Sequence, residues 1–188
     1  MRNILVASLV LLLSACASGA RTGSMVVPFS PEKNIEEGHP VREAVQVGGV
    51  DGGKETNALW TSQISNESFK DALEQTLALH TMLAENDARY RLDVELVELN
   101  QPFIGLNMTV KADVKYRLTD TTDGSVLFDE VFHSEYTAAF GDSLLGSKRL
   151  QLANEGAVRN NIQLILEKLI GLGNAIDQTA SVQIVLGH

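Results

Sequence analysis

Apolar and polar residues alternate most strictly at Met108, Val110, Ala112, Val114, Tyr116 and Leu118, interleaved with Thr109, Lys111, Asp113, Lys115, Arg117 and Thr119. A period-two run of this length predicts a strand with one face in a core and the other in water. Thr121-Thr122-Asp123-Gly124 follows as a tight connection, since Asp and Gly both tolerate positive φ. Val126 to Thr137 is the returning strand, with Phe128 and Phe132 on one face. Upstream, Leu92, Val94 and Leu96 alternate with Asp93 and Glu95 before Val97 and Leu99 continue in the opposite phase, which predicts a strand with a bulge that ends before Pro102. Glu43 to Val47 predicts one more strand.

Helical spacing appears twice. After an N-cap at Ser65 or Asn66, Phe69, Ala72, Leu73, Leu77 and Leu83 recur on one face, which predicts a helix to about Leu83. From Leu150 to about Leu172, Val158, Ile162, Ile165 and Leu169 form a stripe, with Gly171 and Gly173 as the expected stop. Ser181 to Leu186 reads as a late edge strand. The order is β-α-β-β-β-α. Each element has one apolar face to hide, so the expected fold is α+β: an antiparallel sheet with two helices packed on one face and the other face wet.

The N-terminus has a different pattern. Arg2, the apolar run Ile4 to Leu13, then Ser14, Ala15 and Cys16 spell an export signal too short to span a bilayer, which takes ~20 apolar residues. Leu13-Ser14-Ala15-Cys16 resembles the bacterial lipobox. The resemblance implies a diacylglyceride on the Cys16 sulfur, cleavage after Ala15 and further acylation, such as by palmitate, of the new N-terminus. The alternative is an ordinary secretory signal with an unused cysteine. The expected organisation is therefore a signal at 1–15, a lipidated spacer at 16–40, a domain at 41–175, and a tail or edge strand at 176–188. The spacer contains Gly19, Gly23, Pro28, Pro31, Gly38 and Pro40, with Met25-Val26-Val27 as its one docking point. If flexible, it would reach ~25 to 30 Å.

Cleavage leaves 173 of the 188 residues, enough for one core, and 44% hydrophobic against 21% charged residues excludes disorder throughout. The net charge of −9 becomes −10 once Arg2 is removed, which disfavours nucleic acid and anionic headgroups as partners, so membrane attachment should come from acyl chains. Cys16 is the only cysteine, so no disulfide is expected.

Candidate chemistry is sparse. Gly48 to Lys54 fits most of a phosphate-binding loop, but Glu55 stands where Ser or Thr should ligate magnesium and no helix begins there, so no nucleotide is expected. His39, His80, His133 and His188 lack metal-ligand spacing, and neither metal nor cofactor is expected. Asp129, Glu130 and Glu135 could do acid and base work, but a chain with 24 acidic residues produces such clusters by chance, so a solvated face is expected and no catalytic residue is assigned. Phe140, Leu144 and Leu145, flanked by Gly141 and Gly146, are the candidate partner or lipid contact; the alternative is that they cap the core. Phe103-Ile104 beside Gly105 has the same two readings.

Val114 to Asp120, Asp123 to Phe128 and Arg149 to Ile162 form a strand, a D-x-x-x-G-x-V-like turn, a strand and an Ala-rich helix. With the Leu-Ser-Ala-Cys signal, this resembles small envelope lipoproteins of Gram-negative bacteria, YajG-like ones most, and more loosely LptE and the auxiliary lipoproteins of ABC-type lipid transporters. The resemblance implies a non-enzymatic accessory in envelope assembly or transport, bound to a membrane-protein complex. Ala17, and not Asp, after the cysteine implies the periplasmic face of the outer membrane, by resemblance to the enterobacterial sorting rule. A carrier of lipid or glycan, with a large apolar pocket, is the first alternative, and a hydrolase or transferase the last.

Overall fold

In the computed structural model, which describes residues 19–33, 35–54 and 63–186, with side chains to residue 176, the strict alternation at the centre of the chain becomes the central antiparallel strand. This is β3 (Met108–Asp120), in which Val110, Ala112, Val114, Tyr116 and Leu118 are fully buried. It pairs antiparallel with β2 (Tyr90–Asn100) on one side and β4 (Val126–Ala138) on the other. The bulge in β2 falls between Leu96 and Glu98, where the sequence phase changes, and turns Val97 out to solvent. Phe128 and Phe132 do share the helix-facing side of β4, while Val131 lies on the open side.

The sheet order is β1-β2-β3-β4, and β1 (Val45–Asp51) runs parallel to β2. The fold is α+β, but the sheet is mixed and not wholly antiparallel as expected. The cause is the crossover: α2 (Asn66–Leu79) lies between β1 and β2 in sequence and spans the sheet, so β2 starts at the same end as β1. The glycine-rich segment expected as a loop continues β1 instead, through Gly48 and Gly49 to Asp51.

α2 begins as its sequence predicts, with Ser65 Oγ accepting from the Ser68 N–H at 3.1 Å. It ends at Leu79, earlier than expected, because Leu83 is drawn into a parallel bridge with Val45. Phe69, Leu73 and Leu77 of α2 meet Leu92, Tyr116, Ile162 and Ile165 in the main core.

α3 runs Gly146–Leu186, well beyond both expected ends. Gly171 and Gly173 do not stop it; a Cβ at Gly173 would overlap the His39 ring, so this glycine accommodates a neighbour. Ser181–Leu186 is helix, not an edge strand, since lengthening an existing helix adds one hydrogen bond per residue with no new nucleus. Small residues on α3 let it approach the sheet: Ala153 and Ala157 are fully buried, Gly156 lies under the Tyr136 ring, and Ser134 Oγ donates to the Ala157 carbonyl at 2.9 Å. Asn161 donates to the Phe132 carbonyl and Asn160 to that of Glu135, each at 2.9 Å, which fixes the helix to β4.

Residues 19–33 and 35–43 are not a free spacer. A short helix, α1 (Thr22–Met25), opens a strap that buries Met25, Val27, Ile35 and Val41 in the main core. Arg21 clasps the almost fully buried Glu155 side chain of α3, through its backbone N–H at 2.9 Å and its Nε at 3.1 Å. The apolar residues of the strap follow no helix or strand period, so periodicity could not reveal them.

Tyr116 is wholly buried, edge-on to Phe132 with ring centroids 5.6 Å apart, and its hydroxyl has no partner among the described residues. Burial pushes its phenol well above the usual range. Tyr116→Phe is therefore expected to keep or raise stability, by up to ~1 kcal/mol, because it removes an unpaired polar group and little packing. Urea unfolding midpoints check this; a loss of more than ~1 kcal/mol would mean that the hydroxyl is paired.

Candidate functional site

Two surfaces stand out, and the alternation of β3 builds the first. Outward Arg117 meets oppositely charged neighbours on both sides of the open face, Asp93 on β2 and Asp129 on β4. Arg117 Nε donates to Asp129 at 2.9 Å, Lys115 Nζ lies 3.3 Å from the same carboxylate, and Arg91 Nε donates to Asp93 at 3.0 Å. The Gly49 N–H also donates to Asp93 Oδ1 at 2.8 Å, and a Cβ on Gly48 would overlap that carboxylate. The glycines of the supposed phosphate loop thus make room for an aspartate. Glu55 lies outside the described residues.

Hydrogen bonding to Arg117 first, and to Lys115, holds Asp129 below the usual carboxylate range. Asp93 is held down mainly by Arg91, against its partial burial and with help from Gly49. Groups held ionised in this way are poor general acids. Asp129 and Glu130 point to opposite sides of the sheet, Glu130 reaching Lys168 of α3 at 2.9 Å. Glu135 lies opposite Lys111 on the open face. The three carboxylates therefore do not converge on one substrate. A recess of about 370 Å³ on this face is lined by Arg91, Asp93, Glu95, Lys115 and Arg117 among others, the wrong chemistry for an acyl chain.

The histidines are separated. His39 contacts Asn174 of α3 at 3.1 Å, and His133 contacts Asp113 on the open face at 2.8 Å. His80 ends α2 fully buried, with Nδ1 2.9 Å from the Thr76 carbonyl and its ring against Phe29. His188 lies outside the described residues. Among the described residues no cluster of His, Cys, Asp or Glu could hold a metal ion.

The second surface is at one end of the sheet. The β2–β3 connection carries Phe103, Ile104 and Leu106, and the β4–α3 connection carries Phe140, Leu144 and Leu145. All six are exposed, from 47% for Phe140 to 90% for Phe103, so they do not cap the core. The two connections are joined. Asn107 Oδ1 accepts from the Phe140 N–H at 3.0 Å, and the buried Arg149 donates to the Ser143 carbonyl at 2.6 Å and to the Gly105 carbonyl at 3.3 Å. Its guanidinium also sits 5.2 Å from the Phe140 ring centroid. Beneath them Met108, Val110, Ala138 and Leu150 form a second small core. The result is a braced apolar tip in which Phe103 and Ile104 join Phe140, Leu144 and Leu145. Sequence reading missed Leu106 and the brace itself; the available signal was an arginine one residue before Leu150, at the start of an otherwise apolar helical stripe.

Cys16 and Ala15 lie outside the described residues. The described chain starts at Gly19, whose carbonyl accepts from Gln151 Nε2 at 2.6 Å, near the start of α3 and therefore at the end that carries the tip. No helix is long and apolar enough to cross a membrane among the described residues.

No family model and no curated protein matches the chain. Solved structures do. A Xanthomonas campestris protein of the DUF330 family is similar over 86% of this chain and 98% of its own, at a TM-score of 0.61 and 10% identity. A candidate lipoprotein from Caulobacter crescentus is similar over 72% of this chain and 95% of its own, at a TM-score of 0.50 and 14% identity. At such identities the likeness is one of fold.

Proposed function

We propose that the chain is a lipid-anchored envelope protein, acylated at Cys16 and held on the periplasmic face of the outer membrane, where it serves assembly or transport as a non-enzymatic accessory bound to a membrane-protein complex. The observation that carries this reading is the Leu13-Ser14-Ala15-Cys16 sequence placed three residues before Gly19, where the chain is already fixed to a folded domain. The similarly folded Caulobacter protein, itself a candidate lipoprotein, supports it, as does the resemblance to YajG-like and LptE-like lipoproteins. The neutralised, divergent carboxylates of β4 favour binding over catalysis. A lipid or glycan carrier would need an apolar cavity, and the space between sheet and helices is filled by Phe69, Leu73, Tyr90, Tyr116 and Ile162.

Chemical cross-linking in intact cells carrying the lipidated protein tests the accessory role. Recurrent capture of one envelope complex is the expected result. Capture of abundant neighbours alone would remove the accessory role and return weight to the carrier.

A further inference from the structure

We propose that the apolar tip is a membrane-contacting surface, with Phe103, Ile104, Leu106, Leu144 and Leu145 entering the interface of the same leaflet that holds the acyl chains of Cys16. The inference rests on the anchored reading above and adds to it how the domain stands on the bilayer.

The first argument is reach. Three residues, even fully extended, span no more than about 10 Å, so an acylated Cys16 holds Gly19 that close to the headgroups. Gly19 is bonded to Gln151, and Gln151 is five residues along α3 from Gly146, a rise of about 7.5 Å. The connection that ends at Gly146 carries Leu144 and Leu145. Because the strap from Gly19 to Val41 is packed into the core, no long spacer lifts the domain away. The tip and the anchor are therefore at one end of the molecule, separated by little more than the thickness of an interface.

The second argument is chemistry. In a chain with 21% charged residues, residues 101–107 and 139–147 carry one charge, Asp142, and its carboxylate is engaged by the Ala139 N–H at 2.8 Å. A surface destined for water or for a charged partner would not be stripped in this way. The open sheet face, by contrast, is dense in charge, with Arg117, Asp129, Arg91 and Asp93 compensating one another. Bracing by Arg149 and Asn107 means the tip meets the interface already ordered, so contact costs little conformational entropy. Burying apolar side chains at the interface adds a modest attraction to that of the acyl chains and fixes which end of the domain faces the bilayer.

The test places an environment-sensitive fluorophore on Leu144→Cys in the full lipidated protein, reconstituted into vesicles of phosphatidylethanolamine and phosphatidylglycerol that contain acyl-chain spin-labelled lipid. Leu144 is 83% exposed, so the label should not disturb folding. Thr122→Cys, in the β3–β4 turn at the far end of the sheet, is the reference. The Leu144 label is expected to shift to the blue and to be quenched about fivefold more than the Thr122 label. Equal, weak quenching of both labels, with mass spectrometry showing acylated Cys16, would overturn the tip contact and leave the anchor standing. Shielding of Leu144 only when envelope proteins are added would also overturn it, in favour of a protein partner. If mass spectrometry shows no acyl group on Cys16, it is the anchored reading that fails, and the orientation proposed for the tip fails with it, an outcome distinct from the two above.

Discussion

Cys16→Ala is expected to leave the protein either unprocessed, with its signal still attached, or soluble, moved from the membrane fraction by tenfold or more. The thiol is the only group at the site that could take the thioether, and the resembling processing enzyme requires that modification before it cuts. Each buried methylene contributes about 0.8 kcal/mol, so two long acyl chains dominate every other attachment term. The apolar tip remains in the variant, but a handful of side chains gives weak, reversible association and not retention. Fractionation with intact-mass measurement reads both effects. Normal cleavage together with full membrane retention would mean that Cys16 is an ordinary residue behind an ordinary signal.

The second large effect is expected at Gly156, where alanine should destabilise the domain by ~2 to 3 kcal/mol. Propensity alone argues the reverse, since Gly to Ala in an exposed helix gains about 1 kcal/mol. At Gly156 the added Cβ would overlap the Tyr136 ring, close to where that ring joins its own backbone, so the ring cannot simply swing aside. Either Tyr136 leaves its place beside Arg159 or α3 lifts from β4, stretching the bonds from Asn161 and Ser134. Gly171 is the internal control. It is also helical, but a Cβ there meets nothing within 4 Å, and Gly171→Ala should be neutral or stabilising. Denaturant midpoints of the two variants should move in opposite directions, and a stable Gly156→Ala would mean that the helix and β4 are further apart than described.

The elements were legible where one residue's side decides its neighbour's. The alternation from Met108 to Leu118 and the stripe from Val158 to Leu169 specified which faces meet, and the phase change at Val97 marked a bulge. Pairing direction was missed: the alternation of Glu43 to Val47 is the same whether β1 lies parallel or antiparallel to β2, and it is the helix between them, present in the predicted order, that makes the pair parallel. The strap was missed for a related reason. Met25 closes a single helical turn and Val27, Ile35 and Val41 lie on irregular backbone, where no period reports burial. The candidate site was half visible. Phe140, Leu144 and Leu145 stood out as apolar residues among glycines, but their meeting with Phe103, Ile104 and Leu106 depends on long-range bonds through Arg149 and Asn107.

Those bonds, and the proximity of Gly19 to the same end, turn an apolar loop into a statement about orientation, and all of it depends on the chemistry of one residue. Intact-mass spectrometry of the protein extracted from the envelope tests that most directly. A chain that begins at Cys16 and carries the added mass of a diacylglyceryl group is the predicted result. A chain cut elsewhere, or one beginning at Cys16 with no added lipid, would contradict the account.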